Sequence, residues 1–220
     1  MAEAETEAEA TAGRLRLHSH WRSSCSHRAR IALNLKGVDY EYKAVNLVKG
    51  EQSDPEAEFV KLNPMKFVPA LVDGDSYLED KYPEPPLIPH DLQKKALNHQ
   101  IAGIVASGIQ PFHNRTVLRL IDQKVGAGES VLWTQQQTER GFTAIENLIQ
   151  LKGCAGKYAT GDEVQLADVF LAPQIYAAIE RTKIDMSNYP TLARLHSEYM
   201  AHPAFVAALP GRQPDAPSSS

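Results

Sequence analysis

A proline-dense stretch, Pro83-Glu84-Pro85-Pro86-Leu87-Ile88-Pro89, divides this chain into two segments with different hydrophobic periods. Proline fixes φ and lacks an N–H, so neither a helix interior nor a central strand runs through it. Before it, short runs of period two alternate with runs of helical spacing. After it, only helical spacing remains. That order specifies a small α/β domain at 13–83, a linker at 84–89 and an all-helical domain at 90–212. Residues 1–12 read as an acidic solvated tail and 213–220 as a second disordered tail.

Within the first segment, Leu15 and Leu17 alternate in Arg14-Leu15-Arg16-Leu17-His18-Ser19 and mark a strand. A helix is expected over 26–36, with Ile31, Ala32 and Leu35 on one face and Gly37 as its stop. Residues 39–47 read as a second strand, 55–62 as a short helix and 67–72 as a third strand. Pro69 inside that strand belongs at an edge, a bulge or a turn, and a cis Val68–Pro69 bond forms such a turn. Beyond the linker, helices are expected over 90–120 with a kink at Pro111, then over 133–151, 169–180, 191–201 and 203–209.

Arg22-Ser23-Ser24-Cys25-Ser26-His27-Arg28-Ala29-Arg30 joins the first strand to the first helix. A helix start gathers unpaired N–H groups and the positive end of the dipole, which suits a thiolate or another anion. Ser23 and Ser24 are either a helix N-cap or donors to such a thiolate. Cys25 is either a small buried residue or a thiol made reactive by Arg28 and the helix start. Cys154 reads as incidental. Arg181 reads as a solvated arginine paired with Glu180 or Asp185. Asp168 reads as a carboxylate stabilising the N-terminus of the buried helix that follows.

Composition excludes several classes. The formal net charge is −4, so no basic footprint points to nucleic acid. No apolar run approaches the ~20 residues that span a bilayer, and the N-terminus lacks the pattern of a secretory signal. The 2 cysteines form no disulfide framework, and the 8 histidines form no metal pattern. A reducing, cytoplasmic setting without membrane contact is the expectation.

Four motifs occur in order: Ser23-Ser24-Cys25-Ser26-x-Arg28-x-Arg30-Ile31-Ala32-Leu33, Leu62-Asn63-Pro64-Met65-Lys66-Phe67-Val68-Pro69-Ala70-Leu71, Gly108-Ile109-Gln110-Pro111-x-x-Asn114 and Gly161-Asp162-Glu163-Val164-x-x-Ala167-Asp168. With them the chain resembles the glutathione transferase superfamily, and specifically its zeta class, the maleylacetoacetate isomerases. The resemblance implies a thioredoxin-like N-terminal domain, a helical C-terminal domain and a homodimer. It implies glutathione as a cosubstrate that is not consumed. The implied reaction is cis–trans isomerisation of maleylacetoacetate to fumarylacetoacetate in tyrosine breakdown, with transferase activity alongside. A general transferase or α-halo acid dehalogenase using the same residues is the alternative. By the same match, Ser23, Ser24 and Cys25 are the catalytic candidates. Ser23, Ser24, Gln52, Val68, Pro69 and Ser76 would hold glutathione. Arg28, Gln110, Asn114 and Arg181 would meet a small acidic substrate. His27 departs from the family, which usually has a tryptophan there; it is expected to line the pocket rim without a catalytic role.

The chain departs from the family after Asp73-Gly74-Asp75, which runs almost directly into Ser76-Tyr77-Leu78-Glu79. About ten residues of the usual fourth strand and following helix are absent, or ~33 Å of strand. The resemblance implies that a serine opening that helix holds the γ-glutamyl carboxylate of glutathione, and Asp75-Ser76 reads as the remnant of its pair. The expectation is therefore reduced glutathione affinity and stability, and a weakly active or non-catalytic transferase-like protein is a third reading.

Overall fold

The computed structural model describes residues 15–47, 49–51, 58–73 and 82–217. The chain forms two compact units, Met1–Pro85 together with Ala204–Ser220, and Pro86–Pro203.

In the first unit, β1 (Arg16–Ser19), α1 (Ser24–Leu35) and β2 (Glu41–Ala44) make a βαβ unit in which β1 and β2 are parallel. After the short helix α2 (Glu58–Leu62), β3 (Ala70–Val72) returns antiparallel to β1. The described sheet has the order β2-β1-β3. Alternation sorts the residues of β1. Leu15 and Leu17 form a core with Leu33 and Val38, while His18 faces the other way, its ring 5.8 Å from that of Phe59. Val45, Phe59 and Val68 pack as a second cluster.

Both outer strands are shorter than the pattern suggested. Pro69 cannot donate to a ladder, so β3 begins only at Ala70. The Val68–Pro69 bond is cis, and so is Glu84–Pro85, which the sequence reading did not anticipate. Among the described residues β3 has β1 as its only sheet partner. The Asp75–Ser76 junction lies outside the described residues.

The second unit is helical. The helix expected over 90–120 is four pieces: α3 (Leu92–Gly103), a π turn (Ile104–Ile109), a 3-10 turn (Gln110–His113) and α4 (Arg115–Lys124). The break has two causes. Pro111 brings no N–H, and Asn114 adopts extended angles and caps α4 by accepting from Thr116 N at 3.0 Å. Next comes α5 (Glu129–Lys152), which lets the π turn approach at Gly141, where any Cβ would overlap the Ile109 side chain. The nearly all-apolar α6 (Leu166–Ala177) is buried, ends in a second π turn (Ala178–Thr182) and is followed by α7 (Pro190–Ala201). The short α8 (Pro203–Ala207) lies, from Ala204 onward, in the first unit. Among the described residues no helix is long and apolar enough to cross a membrane.

Asp168 plays the structural part expected of it. Its carboxylate, 0% exposed, accepts from Gln165 N and Ala159 N, each at 2.9 Å, and from the Tyr199 hydroxyl at 2.7 Å. It thereby ties the start of α6 to the preceding loop and to α7. Burial pushes its carboxyl up to about 6, against those donors. Because the folded value exceeds the unfolded one, the stability gained from protonating this group is full below about pH 4 and is lost as pH rises through about 6. Asp168→Ala would strand three buried donors at once. We expect it to cost about 3 kcal/mol in urea unfolding. A loss below about 1 kcal/mol would show that water or a neighbour replaces the carboxylate.

The C-terminal stretch is the main departure from expectation. Instead of a helical domain running to 212 and a disordered tail from 213, residues from Ala204 group with the first unit. Asn34 Nδ2 donates to Ala204 O at 3.0 Å, and Arg30 Nε donates to Ala208 O at 3.1 Å. Asp215 accepts from Trp21 N at 3.0 Å and from the Tyr42 hydroxyl at 2.7 Å. A buried arginine needs acceptors, and this returning segment supplies one of them.

Candidate active site

The first unit builds its candidate site where β1 runs into α1. Helix α1 begins at Ser24, two residues before the expected start, with Ser23 as N-cap. The Ser23 hydroxyl oxygen accepts from Ser26 N at 3.2 Å, and Ser23 N donates to His20 O at 3.0 Å. The capping role occupies an acceptor lone pair of Ser23 and leaves its O–H proton for another partner. The two readings of this serine are therefore compatible. It caps the helix and can also donate to an anion at the helix start, where the dipole favours negative charge.

Ser24 and Cys25 occupy the first turn, both half-buried. Burial pushes the Cys25 thiol up, outweighing the Arg28 guanidinium and a hydrogen bond from the Ser24 side chain, both of which pull it down. The chain's own thiol is thus held in its neutral form near neutral pH. Of the two readings of Cys25, burial favours the small buried thiol, because desolvation is the larger effect here. Arg28 lies one helical turn beyond Cys25 and couples to it electrostatically. His27 is a further correction. It is 2% exposed, within the stripe Ser26-His27-Arg30-Ile31 that α1 buries, and so is not at a rim.

Val68 and Pro69 enter through the sheet. The antiparallel register pairs His18 with Ala70, so the turn before β3 lies at the end of the sheet where β1 leads into α1. The Val68 side chain is buried with Val45 and Phe59, which fixes the turn that carries its backbone. Gln52 and Ser76 lie outside the described residues.

In the second unit, two of the three proposed substrate contacts belong to irregular turns. Gln110 opens the 3-10 turn directly after the first π turn, and Arg181 lies within the second. Such turns re-aim side chains away from a regular helix face. Arg181 is exposed and Gln110 half-buried. Asn114 caps α4, a role the sequence reading did not include. Both turns are tied to α5. Gln135 Nε2 donates to Thr182 O at 2.9 Å, and Thr138 Oγ1 is 3.1 Å from His113 Nε2. The Thr138 hydroxyl already donates to Thr134 O at 2.8 Å, so its oxygen accepts and His113 carries its proton on Nε2. Burial, joined by the Arg181 guanidinium, pushes His113 down to about 4, although a hydrogen bond to the Thr134 backbone works the other way. This imidazole is neutral at physiological pH.

A shallow cavity of about 300 Å³, lined by Ile104, Ser107, Gly108, Phe112, Arg140, Gly141 and Ala144, also belongs to the second unit. None of the candidate catalytic or binding residues named from the sequence lines it, although Gly108 of the third motif does.

Sequence reasoning missed Arg30, His113 and Asp215. Arg30 gave a signal, a charge one position before Ile31 on the apolar stripe of α1. His113 and Asp215 gave none, because their partners are 25 and 194 residues away.

Comparison with known proteins bears on this geometry. Residues 22–81 match the family described as "Glutathione S-transferase, N-terminal domain". The chain is 55% identical over 217 residues to Glutathione S-transferase Z1 of Arabidopsis thaliana, covering 94% of this chain and 96% of that protein. It is 46% identical to maleylacetoacetate isomerase of Rattus norvegicus, covering 94% and 97%. A crystal structure of maleylacetoacetate isomerase from Anaeromyxobacter dehalogenans with glutathione bound in its active site superposes with a TM-score of 0.81. That protein is 40% identical, with 93% of this chain and 98% of that chain covered.

Proposed function

From the premise that the chain belongs to the zeta class of the glutathione transferases, we propose that it is an enzyme that isomerises maleylacetoacetate to fumarylacetoacetate with glutathione as cosubstrate, in tyrosine breakdown. The observation that carries this reading is the Ser23 N-cap. Its oxygen is engaged by the helix while its proton remains available to a thiolate at the helix start.

A free thiol near pKa 8.5 is mostly protonated at neutral pH. A donated hydrogen bond from Ser23 and the positive end of α1 stabilise the anion and raise the thiolate fraction. The Ser24 side chain adds a second hydroxyl at the same place. Cys25, kept neutral, helps to place glutathione rather than compete with it as a nucleophile. Val68 offers its backbone N–H and C=O to the cysteinyl part of glutathione, beside Pro69. Gln52 would reach the glycyl end and Ser76 the γ-glutamyl carboxylate.

The thiolate adds to one carbon of the cis double bond, and the electron pair moves onto the neighbouring carbonyl as an enolate. The former double bond is now single and rotates. Collapse of the enolate re-forms the double bond in trans geometry and expels the thiolate. No atom of glutathione is retained in product, so it is not consumed. Arg28, Gln110, Asn114 and Arg181 are assigned to the acidic substrate, and a guanidinium such as that of Arg181 suits a carboxylate. Displacement of halide from a small α-halo acid would use the same residues. The protein would act in the cytoplasm as a homodimer.

The test is isothermal titration with glutathione of a sample whose oligomeric state has been measured, followed by an isomerisation assay. Binding in the sub-millimolar to millimolar range, with turnover of the cis substrate, is expected. A folded protein that binds no glutathione would favour the weakly active or scaffold reading, with the shortened segment after Asp75 as the cause. Faster turnover of an α-halo acid than of the cis substrate would favour the dehalogenase.

A further inference from the structure

The stretch His20-Trp21-Arg22 joins β1 to the Ser23 cap and belongs to no strand or helix. Its conformation must therefore be held from outside. Several side chains contribute, among them Ser26, whose Oγ accepts from His20 N at 3.4 Å. Arg30 donates from Nη1 to His20 O at 3.4 Å and from Nη2 to Trp21 O at 3.2 Å. Asp215 accepts from Trp21 N at 3.0 Å through Oδ2, and that same oxygen is 3.6 Å from His20 Nδ1. The other carboxylate oxygen accepts from the Tyr42 hydroxyl at 2.7 Å, which anchors Asp215 to β2. Gln213 Nε2 donates to Ala207 O at 3.0 Å and to Leu209 O at 2.9 Å, folding the C-terminal segment back on itself just before Asp215.

We infer that Asp215 is a positioning residue for the thiol-activating turn, a carboxylate from the far end of the chain that holds Trp21 and through it the Ser23 hydroxyl. Trp21 N and Ser23 are two residues apart on one short turn, itself closed by Ser23 N donating to His20 O at 3.0 Å. Without Asp215 the Trp21 amide and the Tyr42 hydroxyl lose a charged acceptor, and the turn loses its link to β2. Glutathione is thereby bound by a site completed only when the C-terminal segment is in place. This consequence for glutathione rests on the function proposed above; the effect on the turn does not.

The experiment compares the full chain with Asp215→Ala, Asp215→Asn and Tyr199→Phe. Three quantities are measured: KM for glutathione, the apparent pKa of the bound thiol from its thiolate ultraviolet absorbance, and hydrogen exchange at the Trp21 amide. Asp215→Ala is expected to raise KM about tenfold, raise the thiol pKa and speed Trp21 exchange about tenfold or more. The Asn variant keeps an acceptor for Trp21 N and should recover to within about threefold of the parent. Tyr199→Phe removes a hydrogen bond in the helical unit, so it lowers stability without moving any of the three. Unchanged Trp21 exchange in Asp215→Ala would overturn the inference, as would a Tyr199→Phe variant that shifts the same readouts. If the parent itself binds no glutathione, the proposed function fails, and Trp21 exchange still decides the role of Asp215.

Discussion

Ser23→Ala lowers kcat/KM for glutathione-dependent isomerisation by about 10²–10³-fold and lowers stability by about 1 kcal/mol. Two losses combine in one substitution. The thiolate loses its hydroxyl donor at the place where charge must be held, and Ser26 N loses the cap that now accepts from it at 3.2 Å. The two losses are separable. Asp at 23 caps a helix well but brings an acceptor and a negative charge to the thiolate, so Ser23→Asp should retain stability and still lose turnover. Thr at 23 should retain much of both. The measurements are steady-state kinetics at saturating glutathione and urea unfolding of each variant. If Ser23→Ala turns over at the parental rate, Ser24 or the helix start alone stabilises the thiolate, and the assignment passes to them.

Arg30→Ala is expected to be the most destabilising single change in the first unit, at about 4 kcal/mol or more. Arg30 is 0% exposed and donates to Ser19 Oγ, His20 O, Trp21 O and Ala208 O. Burial lowers its pKa while the nearby Tyr42, Tyr40 and Asp215 pull it back up. Removing it takes their donor from the Trp21 and Ala208 carbonyls, leaves His20 O with Ser23 N, and opens a void beneath α1. Lysine would not restore the arrangement, because an ammonium cannot address separate acceptors with the planar fork of a guanidinium. Arg30→Lys should therefore lose most of what Arg30→Ala loses. Denaturant unfolding gives the magnitude, and limited proteolysis near 208–217 reports release of the C-terminal segment. A loss below about 1 kcal/mol with the segment still protected would show that these contacts are redundant.

These effects explain the division between what was legible in the sequence and what was not. The order strand, helix, strand, helix, strand and then helices follows from hydrophobic period and from the prolines, which are local properties of the chain. Ser23 as a cap and Pro69 at a turn or edge are local readings too, although α1 starts two residues before and β3 three residues after the expected positions. Asp168 was legible for the same reason, as a carboxylate three residues into a helix.

Tertiary structure decided the rest, because the deciding partners are distant in sequence. Whether Cys25 is reactive depends on how much burial opposes Arg28, and no spacing rule measures desolvation. The splitting of one expected helix into four pieces turns on Asn114 preferring its capping geometry, a close competition that periodicity does not register. Residues 213–217 carry few apolar groups and read as solvated, yet Asp215 is held by a backbone amide and a tyrosine hydroxyl 194 and 173 residues away. Local chemistry marked Ser23 and Ser24 as the serines that open α1. Only the folded chain brings in the buried arginine and the C-terminal aspartate that keep their turn in place, because a hydrogen bond across such a distance exists only after the chain has folded.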